Sequence, residues 1–260
     1  MNEELAKLRE KVALSCRILG HQGVTKGSFG HVSARIPGTD LVLIKAKGPA
    51  EEALEFASDR DIITISLGGA VVEAPAGLEA PHETAMHLAV YRARPDVMSV
   101  IHSHPEAVVV LTACEKPLVP MYGAYDGAAA LRLLEQGIPV YPQTLTIIDD
   151  DLGQDFMRVM GSHNACLLRG HGMTTAGASV EDATLISLRV FELARLNYMA
   201  YAIGGPRPVP DLDAHRKRWA EGRTRSAVPR SSDVESSEWR YQRKLLEAQG
   251  RQQNPGCTGV

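Results

Sequence analysis

Two histidines two residues apart, His102 and His104 in Ile101-His102-Ser103-His104-Pro105, are the first residues whose spacing could do chemistry. They follow the apolar run Val97-Met98-Ser99-Val100-Ile101, which predicts a strand. On a strand, side chains at i and i+2 share a face, so the two imidazoles stand side by side where the strand ends. Imidazole is the commonest side-chain ligand for zinc and also suits iron, cobalt and nickel. A pair of hydrogen-bonded core histidines would give the same pattern, and the pair alone does not separate the two. A third histidine, His171, lies in Leu167-Leu168-Arg169-Gly170-His171-Gly172-Met173. Cys166-Leu167-Leu168 predicts a short buried strand, and Gly170 and Gly172 would let the backbone turn sharply around the histidine. Three neutral imidazoles with open positions are the composition of a catalytic metal site rather than a closed structural one. Glu83, in Pro81-His82-Glu83-Thr84 at the start of a helix-like run, could be a fourth ligand or a general acid/base.

Taken together, Glu83, the His-Ser-His-Pro motif at His102–Pro105 and the distant Arg-Gly-His-Gly motif at Arg169–Gly172 resemble the class II aldolase/adducin family. Gly27-Ser28-Phe29-Gly30-His31-Val32-Ser33-Ala34-Arg35 is similar to the glycine-containing substrate loop of that family, and the resemblance spans roughly residues 5 to 205. It implies a three-layer α/β/α fold with a central, mainly antiparallel sheet, and a homotetramer. It also implies a metal held by His102, His104 and His171, with Glu83 as catalytic acid/base. Pro120–Gly127 would be a loop near the metal, where Tyr122 or Tyr125 could offer a hydroxyl to substrate or simply pack; Tyr125 is the one carried forward as catalytic.

One divalent metal per chain, zinc in first place with Fe(II), Mn or Co as alternatives, could bind two substrate oxygens and stabilise an enolate. That intermediate is common to aldol cleavage and to decarboxylation of hydroxy or oxo acids. Family aldolases acting on sugar phosphates carry Asn where His31 stands, and serines before the glutamate; here the latter positions are Pro81 and His82. Proline offers phosphate neither a hydroxyl nor an N–H. The expected substrate is therefore a non-phosphorylated hydroxy or oxo carboxylic acid, possibly aromatic. Its contacts would come from Ser28, Gly30, His31, Lys45, Lys47 and Arg169, although Lys45 and Lys47 also fit a solvated strand end. A metal-dependent carbon–carbon lyase is the leading expectation. An Fe(II) oxygenase of an aromatic 2-oxoacid, a sugar-phosphate aldolase or epimerase, and an adducin-like structural module with a spent site are the alternatives.

The elements that must position these residues can be read along the chain. Leu5, Leu8, Val12, Cys16 and Leu19 recur at helical spacing, predicting a helix over 3–22. Val32–Ile36 and Leu41–Ile44 around Pro37-Gly38-Thr39-Asp40 predict a hairpin, and Ile62–Leu67 with Val71-Val72 around Gly68-Gly69 a second. Helices are expected over Thr84–Tyr91, Ala107–Thr112, Leu152–Met160 and Val180–Ile203; Val140–Pro142 and Leu145–Ile148 are short apolar stretches. His87, one turn after Glu83, reads as a supporting or packing residue rather than a ligand. Asp149-Asp150-Asp151 reads as a charge cluster opening a helix rather than a cation site.

The sequence has 260 residues, 44% of them hydrophobic, enough for a sizeable core, and its net charge of −3 argues against a nucleic-acid binder. Four cysteines without a CxxC pattern, an acidic N-terminus without an apolar signal core, and no apolar run of about 20 residues point to a cytoplasmic protein with free thiols and no membrane segment. The composition divides a catalytic domain, 1–207, from a C-terminal extension, 208–260, which becomes basic and then serine-rich. There Trp239, Tyr241, Leu245 and Leu246 predict a last helix docking on a surface such as a neighbouring subunit, with a disordered tail from Gln249.

Overall fold

The computed structural model describes residues 2–121, 137–208 and 235–253, with positions 133, 211, 213, 214, 217 and 221 between them. An eight-stranded sheet is built from β1 (His31–Arg35), β2 (Leu41–Lys45), β3 (Ile62–Ser66), β4 (Val71–Glu73), β5 (Ser99–Ser103), β6 (Val140–Tyr141), β7 (Ala165–Leu168) and β8 (Gly172–Gly177). Their order is β4-β3-β2-β1-β5-β8-β7-β6, with every neighbouring pair antiparallel except β6 and β7. Among the described residues, six α-helices are α1 (Asn2–His21), α2 (Thr84–Ala93), α3 (Glu106–Ala113), α4 (Asp150–Met160), α5 (Val180–Ala202) and α6 (Ser237–Gln253).

Strand alternation divides the core into two slabs. Val32, Ala34, Ile101 and Met173 point to one face, where they meet Val12, Cys16 and Leu19 of α1, Val108 of α3 and Val190 of α5. Val42, Ile44, Val100 and Ala176 point to the other, against Met86, Val90 and Tyr91 of α2 and Phe156 of α4. This is the three-layer arrangement with a mainly antiparallel centre. Helix ends follow local chemistry: the Asp149 carboxylate accepts from the Leu152 backbone N–H at 2.9 Å and caps α4. Ser179 caps α5 in the same way through Asp182. The acidic triplet thus serves a helix terminus.

Three expectations change. β8 was not predicted as a strand; its Gly-Met-Thr-Thr-Ala-Gly composition lacks the apolar alternation that marks strands, because all six residues are buried between β5 and β7. Trp239 is buried within its own chain, on an α6 that packs against α1 and α5, with Gln22 donating to Gln242 at 2.7 Å. No neighbouring subunit is needed to cover it. Finally, α6 continues past Gln249 to Gln253, since Gln and Arg are adequate helix formers on either side of Gly250. Tyr122, Tyr125 and the Ser231-Ser232 segment lie outside the described residues.

On the α2 side of β1, where hydrophobic residues would be expected, the buried side chains are His31 and Ser33, facing His87 and Tyr91 of α2. Burial, aided by nearby His102, lowers the His87 pKa from its ordinary 6.5 to about 3. The unfolded chain takes up this proton near pH 6.5, while the folded chain refuses it down to about pH 3. The stability linked to His87 is therefore complete above the upper value and is lost as pH falls through that window. Calorimetry should show a melting temperature that drops between about pH 7 and about pH 4, and a smaller drop in His87→Gln. An unchanged pH dependence in that variant would mean His87 is not held neutral.

Candidate metal centre

β5 ends between β1 and β8, and this junction gathers the chemistry. His102 is fully buried on β5, on the α2 face. Its Nδ1–H donates to the Met173 carbonyl of β8 at 3.1 Å, which leaves the Nε2 lone pair free. His104 follows the last strand residue and precedes Pro105, the cap of α3. His171 stands in the β7–β8 turn, where its backbone N–H donates to Leu168 at 3.1 Å. The turn depends on Gly172: a Cβ there would lie 2.3 Å from the Ser103 carbonyl and 3.2 Å from the His104 Cα. Close passage of the turn against β5 brings His171 to His104.

The three Nε2 atoms converge. His102 and His104 are 2.7 Å apart at Nε2, and His104 and His171 are 3.2 Å apart. Glu83, at the N-terminal cap position of α2, adds its carboxylate 3.3 Å from His102 Nε2 and 3.4 Å from His171 Nε2, with a side chain only 12% exposed. One donor atom from each of the four residues lies within 4.8 Å of all the others.

Burial, with His102 and His171 beside it, lowers the His104 pKa to about 3, and burial first among causes lowers that of His171. Burial pushes the Glu83 carboxyl up, but the charge and hydrogen bond of His102, then His171 and His104, outweigh it and hold it at about 2. The cluster is therefore an ionised carboxylate facing imidazoles, and burial disfavours the charged form of His104 and His171. A single proton can bridge one nitrogen pair but cannot satisfy all three nitrogens. Glu83 Oε1 is buried without a hydrogen-bond partner. Converging lone pairs and an orphaned anionic oxygen fit a divalent cation.

The other sequence-predicted residues distribute unevenly. Gly30 (φ 82°) lies against β5, so close that a Cβ would sit 2.8 Å from the His102 carbonyl; Ser28 is exposed on the same loop. His31 pairs with His102 across β1 and β5, its ring 5.2 Å from that of His102. Lys47 is within electrostatic reach of Glu83 and His31. Lys45 is buried and spent elsewhere, donating to the Ala46 carbonyl at 3.0 Å and lying 3.4 Å from Glu51. Arg169 pairs with Glu115 at 3.2 Å, at the end of α3. Pro81 is buried and accepts from Thr84, while His82 is exposed. Phe29 was not singled out from sequence, yet its ring stacks on His104 with centroids 5.5 Å apart while remaining 62% exposed. A large apolar residue among the polar and glycine residues of Lys26–Gly30 was the available signal.

Residues 10–198 match the model of the class II aldolase and adducin N-terminal domain. The chain belongs to this family. A 3,4-dihydroxyphthalate decarboxylase from Arthrobacter keyseri is 38% identical over 80% of this chain and 85% of its own. An L-fuculose phosphate aldolase from Escherichia coli O6:H1 is 27% identical over 79% and 89%. Among solved structures, an aldolase II superfamily protein from Pseudomonas syringae superposes with a TM-score of 0.78 at 21% identity, covering 94% of both chains, which supports the shared fold. No described helix of this family member is long and apolar enough to cross a membrane.

Gly172→Ala should separate fold from site. The added methyl forces the His171 turn away from β5 and His104, so metal affinity should fall by about 10- to 100-fold with a cooperative melt retained. Titration against a buffered metal series measures this, and wild-type affinity in the variant would contradict the reading of the turn.

Proposed function

We propose that this protein is a divalent-metal-dependent decarboxylase of a non-phosphorylated aromatic hydroxy acid, with 3,4-dihydroxyphthalate as the first substrate to test. The convergence of three imidazole nitrogens on the ionised Glu83 carboxylate, whose Oε1 is buried without a hydrogen-bond partner, carries the metal-centre part of this reading. Its similarity to decarboxylases of an aromatic acid favours decarboxylation over aldol cleavage. His102, His104 and His171, with Glu83 as fourth ligand or proton carrier, would hold the cation, zinc in first place. Bound there, it would supply Lewis-acid polarisation to two adjacent substrate oxygens.

The side chains divide the remaining work. Glu83, ionised at rest, is suited to accept the proton of a ring hydroxyl next to the departing carboxylate. The same proton is then delivered to the ring carbon that bears the carboxylate. The carbon–carboxylate bond breaks, carbon dioxide leaves, and its electron pair returns through the ring to the hydroxyl oxygen, which is reprotonated from solvent. The exposed Phe29 ring offers an apolar face for an aromatic substrate beside His104. Lys47 lies close enough to Glu83 to favour an anionic substrate. Buried Pro81 in place of a serine gives a phosphate ester no donor.

The zinc-loaded protein should release carbon dioxide from 3,4-dihydroxyphthalate anaerobically. Glu83→Gln should lower kcat by ~100-fold or more, and Phe29→Ala should raise KM with kcat nearly unchanged. Efficient cleavage of fuculose 1-phosphate, or oxygen uptake matching substrate consumption, would overturn the proposal.

A further inference from the structure

Behind the metal cluster, four buried side chains form one hydrogen-bonded line. Tyr91 Oη is 2.7 Å from Ser33 Oγ, Ser33 Oγ is 2.7 Å from His87 Nδ1, and His87 Nε2 is 2.8 Å from His31 Nδ1. The line starts on α2, crosses to β1, returns to α2 and ends at His31, beside His102. It is not needed to bury these residues, since an apolar core would do so without polar atoms to satisfy. Its value lies in fixing where hydrogens point.

The hydrogens can be assigned from the far end. The Val100 backbone N–H donates to Tyr91 Oη at 3.1 Å, so that oxygen already accepts a bond. The hydroxyl hydrogen of Tyr91 has the Ser33 oxygen as its acceptor. Ser33 then has one hydrogen to give, either to His87 Nδ1 at 2.7 Å or to the Val100 carbonyl at 3.2 Å. The shorter contact has the length of a well-formed hydroxyl bond and the longer one does not. Giving that hydrogen to the shorter contact makes His87 Nδ1 the acceptor. A buried imidazole is neutral and carries a single hydrogen, so that of His87 is on Nε2 and donates to His31 Nδ1. By the same count, the hydrogen of His31 is on Nε2, the ring edge directed away from His87.

We propose that Tyr91, Ser33 and His87 are positioning residues that lock His31 in its Nε2–H tautomer, making it a fixed hydrogen-bond donor to a substrate oxygen beside the metal cluster. The inference rests on the proposed decarboxylase only for the step it assists. As charge develops on the ring oxygen, a donor already oriented stabilises it without reorganisation. The same lock denies His31 a free lone pair, so it cannot compete with Glu83 as the base. The glycine loop holds the donor in place, because Gly30, the residue before His31, rests on the His102 carbonyl.

The test is multiple-bond 15N–1H correlation NMR of the zinc-loaded protein labelled at histidine, with the two residues assigned through His31→Asn and His87→Gln. His31 and His87 should each show a protonated Nε2 and a bare Nδ1. In Ser33→Ala the His87 and His31 signals should move toward the other tautomer, and kcat should fall about 10-fold with KM and zinc content close to wild type. Ser33→Thr, which keeps the hydroxyl, should restore both. A protonated Nδ1 on His31 in the wild-type protein would overturn the proposal whatever the variants do. So would a Ser33→Ala protein with an unchanged tautomer pattern. Because the spectrum is read without turnover, failure to release carbon dioxide would count against the decarboxylase alone.

Discussion

Three imidazole nitrogens and a carboxylate cannot be packed together for their own sake. His102 Nε2 presents a lone pair, one proton cannot satisfy all three converging nitrogens, and the carboxylate adds a full negative charge with one oxygen lacking a partner. In a site largely withdrawn from water, positive charge at its centre would stabilise such a group. Most of the surrounding architecture serves to hold the donors in place. β8 supplies the carbonyl that fixes the tautomer of His102, and the Gly172 turn lets His171 reach β5. The N-terminus of α2, in the helical layer that His102 faces, carries Glu83 into the group.

The sheet order explains why the site forms here. β5 has β1 on one side and β8 on the other, so a histidine near its end is addressed from both edges. From β8 come the metal-facing contacts; from β1 come His31 and, through it, the polar line into α2. One strand end thus joins a cluster that would hold a cation to a chain of hydrogen bonds that would hold a donor. The exposed Phe29 ring borders this junction with an apolar face, and Lys47 lies within electrostatic reach of Glu83.

Much of this was visible in the residues themselves. Strand periodicity placed His102 and His104 on one side, and the glycines around His171 announced a turn, because both are local rules of backbone geometry. β8 escaped because a fully buried strand of threonine and glycine has no amphipathic pattern to read. The roles of Ser33 and Tyr91 escaped for a related reason: a serine on a strand and a tyrosine on a helix become one network only when two layers are packed together. Lys45 illustrates the opposite error. Its charge suggested a substrate contact, but the fold turns it inward to a carbonyl and to Glu51, a pairing no spacing rule predicts. Trp239 suggested a helix docking on a surface such as a neighbouring subunit, and that helix docks on its own chain.

The claim that positive charge belongs at the centre of this cluster is open to direct observation. Crystals of the protein grown with zinc, and measured on both sides of the zinc absorption edge, should show one strong anomalous peak per chain among the Nε2 atoms of His102, His104 and His171, on the side facing Glu83. An empty cluster under saturating zinc, or a peak held by other residues, would contradict the account.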